Sequence, residues 1–218
     1  MVMRKDGCDT RERLLEVAAR VFAERGYKDT TIAQVCKAAH ANVAAVNYHF
    51  GSKDGLYGQV WRQAFDKSFE IHPLDEGLSE SASAEQKLKA LIRSHVHRVL
   101  DQGTLGEAGQ ILLMEMANPT EVIQEVFADA LQPVVMYTYA VIKELLGPDA
   151  PNDQIHLCTM SVVHLCFAFS HRRGKHAKHP FNTDIMAAEG FSDRLADHIT
   201  EFSLAGIAGI RAKLSKDS

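Results

Sequence analysis

Long apolar runs are missing from this 218-residue chain, and no stretch approaches the ~20 residues that cross a bilayer. The first residues also lack the apolar segment of a secretory signal, roughly 7–15 residues long. Both absences point to a cytoplasmic protein with no membrane partner. Cysteine is sparse: Cys8, Cys36, Cys158 and Cys166 lie far apart or inside helical patterns, so free thiols are expected rather than a disulfide framework. Alternating apolar and polar residues are almost absent, which excludes β-rich classes. Motifs for covalent or cofactor chemistry are lacking too. There is no nucleophile elbow, phosphate loop or dinucleotide fingerprint, and Gly103-x-x-Gly106-x-x-Gly109 follows no strand. No catalytic residue and no cofactor are therefore expected.

Histidine is plentiful, with 11 in the chain, and raises the question of a metal. His156, His164 and His171 fall at spacings of eight and seven on one helical pattern, followed by His176 and His179. Zinc needs ligands converging within about 2.0–2.3 Å, usually from i, i+3 or i+4 pairs or close cysteine pairs. The only histidine pair at i, i+3 or i+4 spacing, His176-x-x-His179, lies in a polar loop. Solvated histidines, with His164 partly buried, are the expectation, and no metal site.

What the chain does have is helical periodicity. Thr10 is placed to cap a helix of Leu14, Leu15, Val17, Ala18, Val21 and Phe22, stopped at Gly26. Thr30 or Thr31 caps a short helix through Val35 to Ala39, and after a break at His40-Ala41, Asn42 caps another from Val43 to about His49. Gly51-Ser52 ends that helix and starts a fourth, Lys53 to about Glu70. Residues 71–84 are a polar connector. Further helices are expected at 83–100, around Ile111 to Met116, at 120–146 with a kink at Pro133, at 153–172 and at 192–213. The fold class is thus all-α, with about nine helices. Charge is uneven: residues 1–55 hold nine Lys/Arg against seven Asp/Glu, and the remainder 15 against 21. A mildly basic head on an acidic body suits a domain that faces phosphate.

The pair of short helices at 31–49 has the dimensions that enter a DNA major groove. Val43, Ala44 and Ala45 form a slim first turn able to sink deep and touch thymine methyls, and Asn47 can hydrogen-bond base edges. Asn42, which caps that turn, is counted with the DNA-binding residues. Thr30, Thr31, Tyr48, His49 and Lys53 stand where phosphate oxygens run. Thr30-Thr31, Ala38-Ala39 and Tyr48-His49-Phe50 with Lys53 resemble the N-terminal signature of the TetR family of bacterial regulators. Thr10 through Phe22-Ala-Glu-Arg-Gly26-Tyr27 is similar to that family's first helix. The turn departs from it, with His40-Ala41 where the family usually has Gly-Val.

The resemblance implies a helix-turn-helix DNA-binding domain at 1–55 and a helical effector-binding and dimerisation domain at 56–218. It further implies a homodimer on a palindromic operator of double-stranded DNA, a small-molecule effector, and release of DNA through a change in half-site spacing. On the helices that would enclose an effector, Met114, Glu115, Tyr137, His164 and Phe167 are the candidate lining. Independently of the family, Ala205, Gly206, Ala208 and Gly209 in the last helix favour close backbone approach, within the chain or across a dimer. Two other readings stand beside this one: a histidine-using helical metal sensor or enzyme, and a dimeric scaffold that no longer binds DNA.

Overall fold

The computed structural model describes residues 3–100, 107, 110, 111, 114, 120–168 and 188–217. Among these, eight helices and no strand occur: α1 Met3–Asp29, α2 Ile32–Ala38, α3 Val43–Phe50, α4 Lys53–Ile71, α5 Ala84–Leu100, α6 Glu121–Leu146, α7 Asn152–Phe167 and α8 Phe191–Asp217. Residues 107, 110, 111 and 114 are also helical; 111 and 114 fall in the short helix expected at about Ile111 to Met116, and 107 and 110 precede it. The basic loop at 172–179 lies outside the described residues, as does the expected end of α7.

Helix ends follow local side-chain chemistry. Ser83 closes a capping box at the start of α5: its hydroxyl accepts from Gln86 N (3.2 Å), and the Gln86 side chain accepts from Ser83 N (2.9 Å). Gly147, at φ 105°, ends α6 with its N–H on the Lys143 carbonyl. Thr10 is not a cap, because α1 already runs from Met3 and Thr10 sits inside it. The interruption comes instead at Gly26, whose φ of 78° no side chain adopts cheaply. Pro133 lies inside α6, which continues on both sides of it.

Contacts divide the described chain into two compact units, one from 1–68 with 102–130, the other from 69–101 with 131–218. This differs from a division at 55/56. The first unit is discontinuous because Ile111, Val122 and Ala130 pack into the same apolar cluster as Leu14, Phe22, Val46, Leu56 and Trp61. The second unit is built on α5, α7 and α8, with Leu88, Leu91, Ile92, Val96, Ile142, Ile155, Val162, Leu195 and Ile199 in its core. Thr138, Thr159 and Thr200 are buried, each donating its hydroxyl to the carbonyl four residues back, so these three hydroxyls are satisfied. Cys36, Cys158 and Cys166 are free and buried.

Candidate nucleic-acid interface

Three helices of the first unit set up one exposed surface. Thr31 caps α2: its hydroxyl accepts from Gln34 N (3.3 Å) and the Gln34 side chain accepts from Thr31 N (2.8 Å). Thr30, the other candidate, is 1% exposed and donates its hydroxyl to the Gly26 carbonyl at 2.8 Å. That corrects its assignment to phosphate: its oxygen is committed to holding the α1–α2 corner. The α2 helix closes in a Schellman arrangement, with Ala41 N on Cys36 O (2.9 Å) and His40 N on Lys37 O (3.4 Å). His40 occupies the left-handed position at φ 49°, so histidine takes the conformation that glycine usually supplies there.

Asn42 caps α3, its side-chain oxygen accepting from Ala45 N at 2.8 Å. Val46 and Phe50 anchor α3 in the core, four residues apart on one face. The opposite face holds Val43, Ala44, Asn47 and Tyr48, all exposed, with Ala45 and His49 half-buried beside them. Tyr48 is 84% exposed, an unusual state for an aromatic side chain with nothing covering it in a single chain. Gly51, at φ 76°, ends the helix, and Ser52 caps α4 by accepting from Gly55 N at 3.1 Å. Lys53 is half-buried with its Nζ 4.2 Å from the Tyr27 ring centroid, and the Tyr27 hydroxyl donates to the Asp54 carboxylate. These contacts tie the start of α4 to the end of α1. Next to α3 a shallow cleft of about 530 Å³ opens, with Thr10, Arg13, His40, Asn42, Tyr48 and His49 supplying its polar wall. Arg13 is braced by its Nε on the Ala39 carbonyl (3.0 Å). Of the ten residues expected to face DNA, Thr31, Asn42, Val43, Ala44, Asn47 and Tyr48 are exposed, Ala45, His49 and Lys53 are half-buried, and Thr30 is turned inward.

The comparisons with known proteins decide the family. Residues 84–207 match the model of the C-terminal domain of the HTH-type transcriptional dual regulator CecR, and residues 14–60 match that of bacterial regulatory proteins of the tetR family. The chain belongs to the TetR family. It is 26% identical to CecR of Shigella flexneri over 177 residues, 78% of each protein. It is also 26% identical to the regulator AcrR of Shigella flexneri over 113 residues, 52% of this chain. The chain spans about half the length of AcrR, and about as much of the Bacillus subtilis regulator YttP. Among solved structures, AibR in complex with isovaleryl coenzyme A and operator DNA superposes with a TM-score of 0.67, at 16% identity, over 88% of this chain and 97% of that one. SCO4454, a TetR-family regulator from Streptomyces coelicolor, gives 0.61 at 19% identity, over 95% and 97%.

Within this TetR fold the expected effector residues scatter. Met114 belongs to the first unit, where its sulfur comes within 3.7 Å of the position a Cβ on Gly26 would take. Glu115 lies outside the described residues. Tyr137 packs half-buried at the edge of the second core, where burial, reinforced by Asp75, pushes its hydroxyl above the ordinary tyrosine range. Phe167 is buried with its ring edge-on to His95 at 6.2 Å. His164 is exposed, its Nδ1 2.7 Å from the Met160 carbonyl. It is neither partly buried nor part of an interior lining, because the buried stripe of α7 is Ile155, Cys158, Thr159, Val162 and Cys166, and His164 falls off it.

The sequence reading overlooked Arg98, which is 9% exposed, and its neighbour His95. The signal was present: both share a helical face with Leu88, Leu91 and Ile92. Among the described residues no three metal-ligating side chains converge, and no helix is long and apolar enough to cross a membrane.

Proposed function

We propose that this protein is a homodimeric, sequence-specific DNA-binding transcriptional repressor whose affinity for a palindromic operator is set by a small-molecule effector. The observation that carries the reading is the two-sidedness of α3. Val46 and Phe50 fix it rigidly, while Val43, Ala44, Asn47 and Tyr48 are presented outward with nothing of the single chain to cover them. Residues 1–55 supply the reading head. Asn47 serves base edges with Val43, Ala44 and Ala45 against thymine methyls, and Thr31, Tyr48, His49 and Lys53 hold phosphates.

The second unit supports the dimer and the effector. On α8, Ala205, Gly206, Ala208 and Gly209 are exposed, and a Cβ on either glycine would meet nothing within 4 Å. Their smallness is therefore not explained by packing within one chain. Phe202 on the same helix is 62% exposed, and Leu157 and Met160 on α7 are 58% and 41% exposed. A second copy covering these faces explains both the small residues and the exposed apolar ones. That AibR was solved with an acyl-coenzyme A and operator DNA together supports pairing DNA binding with a ligand in this fold. Selection of the purified protein on randomised duplex DNA at fixed salt tests the reading. An enriched palindrome with half-sites roughly 34 Å apart is expected. Weak, salt-sensitive binding with no enriched sequence refutes it.

A further inference from the structure

Helix α5 carries an arginine on the stripe it otherwise gives to apolar side chains. Leu88, Leu91, Ile92, Val96 and Val99 are buried there, and Arg98 is buried with them. Its neighbours satisfy only part of the guanidinium. Nε donates to the Ser94 carbonyl (3.1 Å) and Nη2 to the Ser94 hydroxyl (3.0 Å), which in turn donates to the His72 carbonyl (2.7 Å). The Phe69 ring centroid lies 3.7 Å from the guanidinium carbon. Nη2 is also 3.3 Å from Nδ1 of His95, but that nitrogen stands 2.9 Å from the Leu91 carbonyl, which can only accept. Nδ1 therefore carries the proton and offers Arg98 nothing. Among the described residues Nη1 has no hydrogen-bond partner and no carboxylate pairs with this guanidinium.

The titratable neighbours do not supply the missing charge. Burial, together with the Arg98 charge, pushes His95 down to about 3, and burial pushes the Cys166 thiol up to about 12, so both are neutral at pH 7. Arg98 itself, pushed down by burial to about 9, remains a cation. A largely buried charge with no counterion among the described residues is disfavoured, and an anion that meets the guanidinium edge left unbonded by those residues restores the balance.

We infer that Arg98 is the receptor for the anionic head group, a carboxylate or a phosphate, of the ligand that the C-terminal unit binds. The inference rests on the reading of that unit as effector-binding and adds the chemical class of the effector. The planar guanidinium presents Nη1 and Nη2 as a fork suited to two oxygens of one head group.

The test uses the full-length protein without DNA. Its unfolding temperature is measured with sodium hexanoate, with inorganic phosphate and with neutral 1-hexanol, at one ionic strength, for the wild type and Arg98→Met. Hexanoate or phosphate is expected to raise the wild-type value by several degrees at saturation, with hexanol giving a smaller rise and the anion effect lost in Arg98→Met. Response to hexanoate alone assigns a carboxylate, and response to phosphate alone assigns a phosphate. Equal rises with hexanoate and hexanol, no rise with either anion, or an undiminished rise in Arg98→Met overturns the inference. Should Arg98→Met not fold, the wild-type comparison of the two anions with hexanol decides alone. Operator binding is measured separately. Anion binding through Arg98 without operator release leaves the anion site standing and refutes the effector reading. Release by hexanol with no anion response does the reverse.

Discussion

Replacing Gly55 with alanine sets two effects of opposite sign against each other. Gly55 lies in the first turns of α4, and in a helix alanine is favoured over glycine by about 1 kcal/mol. A Cβ there, however, would land on the Phe50 carbonyl oxygen, far inside the 3.0 Å that Cβ atoms keep, and 3.3 Å from the carbonyl carbon. The obstacle is backbone, and it is pinned. The Phe50 ring is buried in the core, Gly51 N donates to the Asn47 carbonyl at 3.0 Å, and Gly51 already holds a left-handed φ. Overpacking costs about 1–3 kcal/mol, with an immovable neighbour at the upper end. Subtracting the propensity gain leaves a net loss of about 2 kcal/mol. For a chain of this size that lowers the melting temperature by roughly 4–8 °C. Calorimetry of the wild type and Gly55→Ala at equal protein concentration reads it directly. Because the end of α3 must shift to relieve the clash, operator affinity should fall as well. A melting temperature that is unchanged, or that rises by the few degrees propensity alone supplies, refutes the close approach of α4 to the Phe50 carbonyl.

Four further outcomes follow from the same structure. Asn42→Ala removes the α3 cap and should lower stability by about 1 kcal/mol, measured by denaturant titration. Asn47→Ala should relax sequence preference in the duplex selection, whereas Lys53→Ala should weaken all sequences alike and flatten the salt dependence; equal loss of preference in both would end that division of labour. Gly206→Arg, on the uncovered face of α8, should give monomers in sedimentation and weaken operator binding without unfolding the chain. His95 is held neutral in the fold at a pKa of about 3, against 6.5 when unfolded, so the unfolded chain takes up a proton that the folded one refuses as pH falls. Its effect is absent above pH 6.5 and amounts to a loss of about 2 kcal/mol of stability between pH 7 and pH 5. His95→Gln should flatten that limb by the same amount in denaturant titrations at the two pH values.

Features set by neighbouring residues were legible along the chain. The cap at Asn42, the stop at Gly51 and the start of α4 at Ser52 each depend on a side chain and a backbone group within three or four residues, and all stand as read. The first helix was misjudged at its start because a good N-cap residue such as Thr10 is equally at home inside a longer helix when the preceding residues continue it. Between Thr30 and Thr31 the sequence offered no choice; the corner made with Gly26 decided it by burying one hydroxyl and leaving the other to cap α2.

By itself, then, the order of residues determined that the chain is helical, where most helices begin and end, and that α3 carries a slim, polar-tipped face fit for a groove. It did so because hydrogen-bonded turns and caps are short-range, and periodicity is counted along the chain. Tertiary structure alone decided that Ile111 and Ala130 join the core of α1 to α4, that His164 faces out, and that Arg98 is drawn in without a carboxylate beside it among the described residues. Those outcomes depend on which helix faces are brought together across dozens of residues. Burial and charge compensation are settled there, by the volume and polarity of distant neighbours.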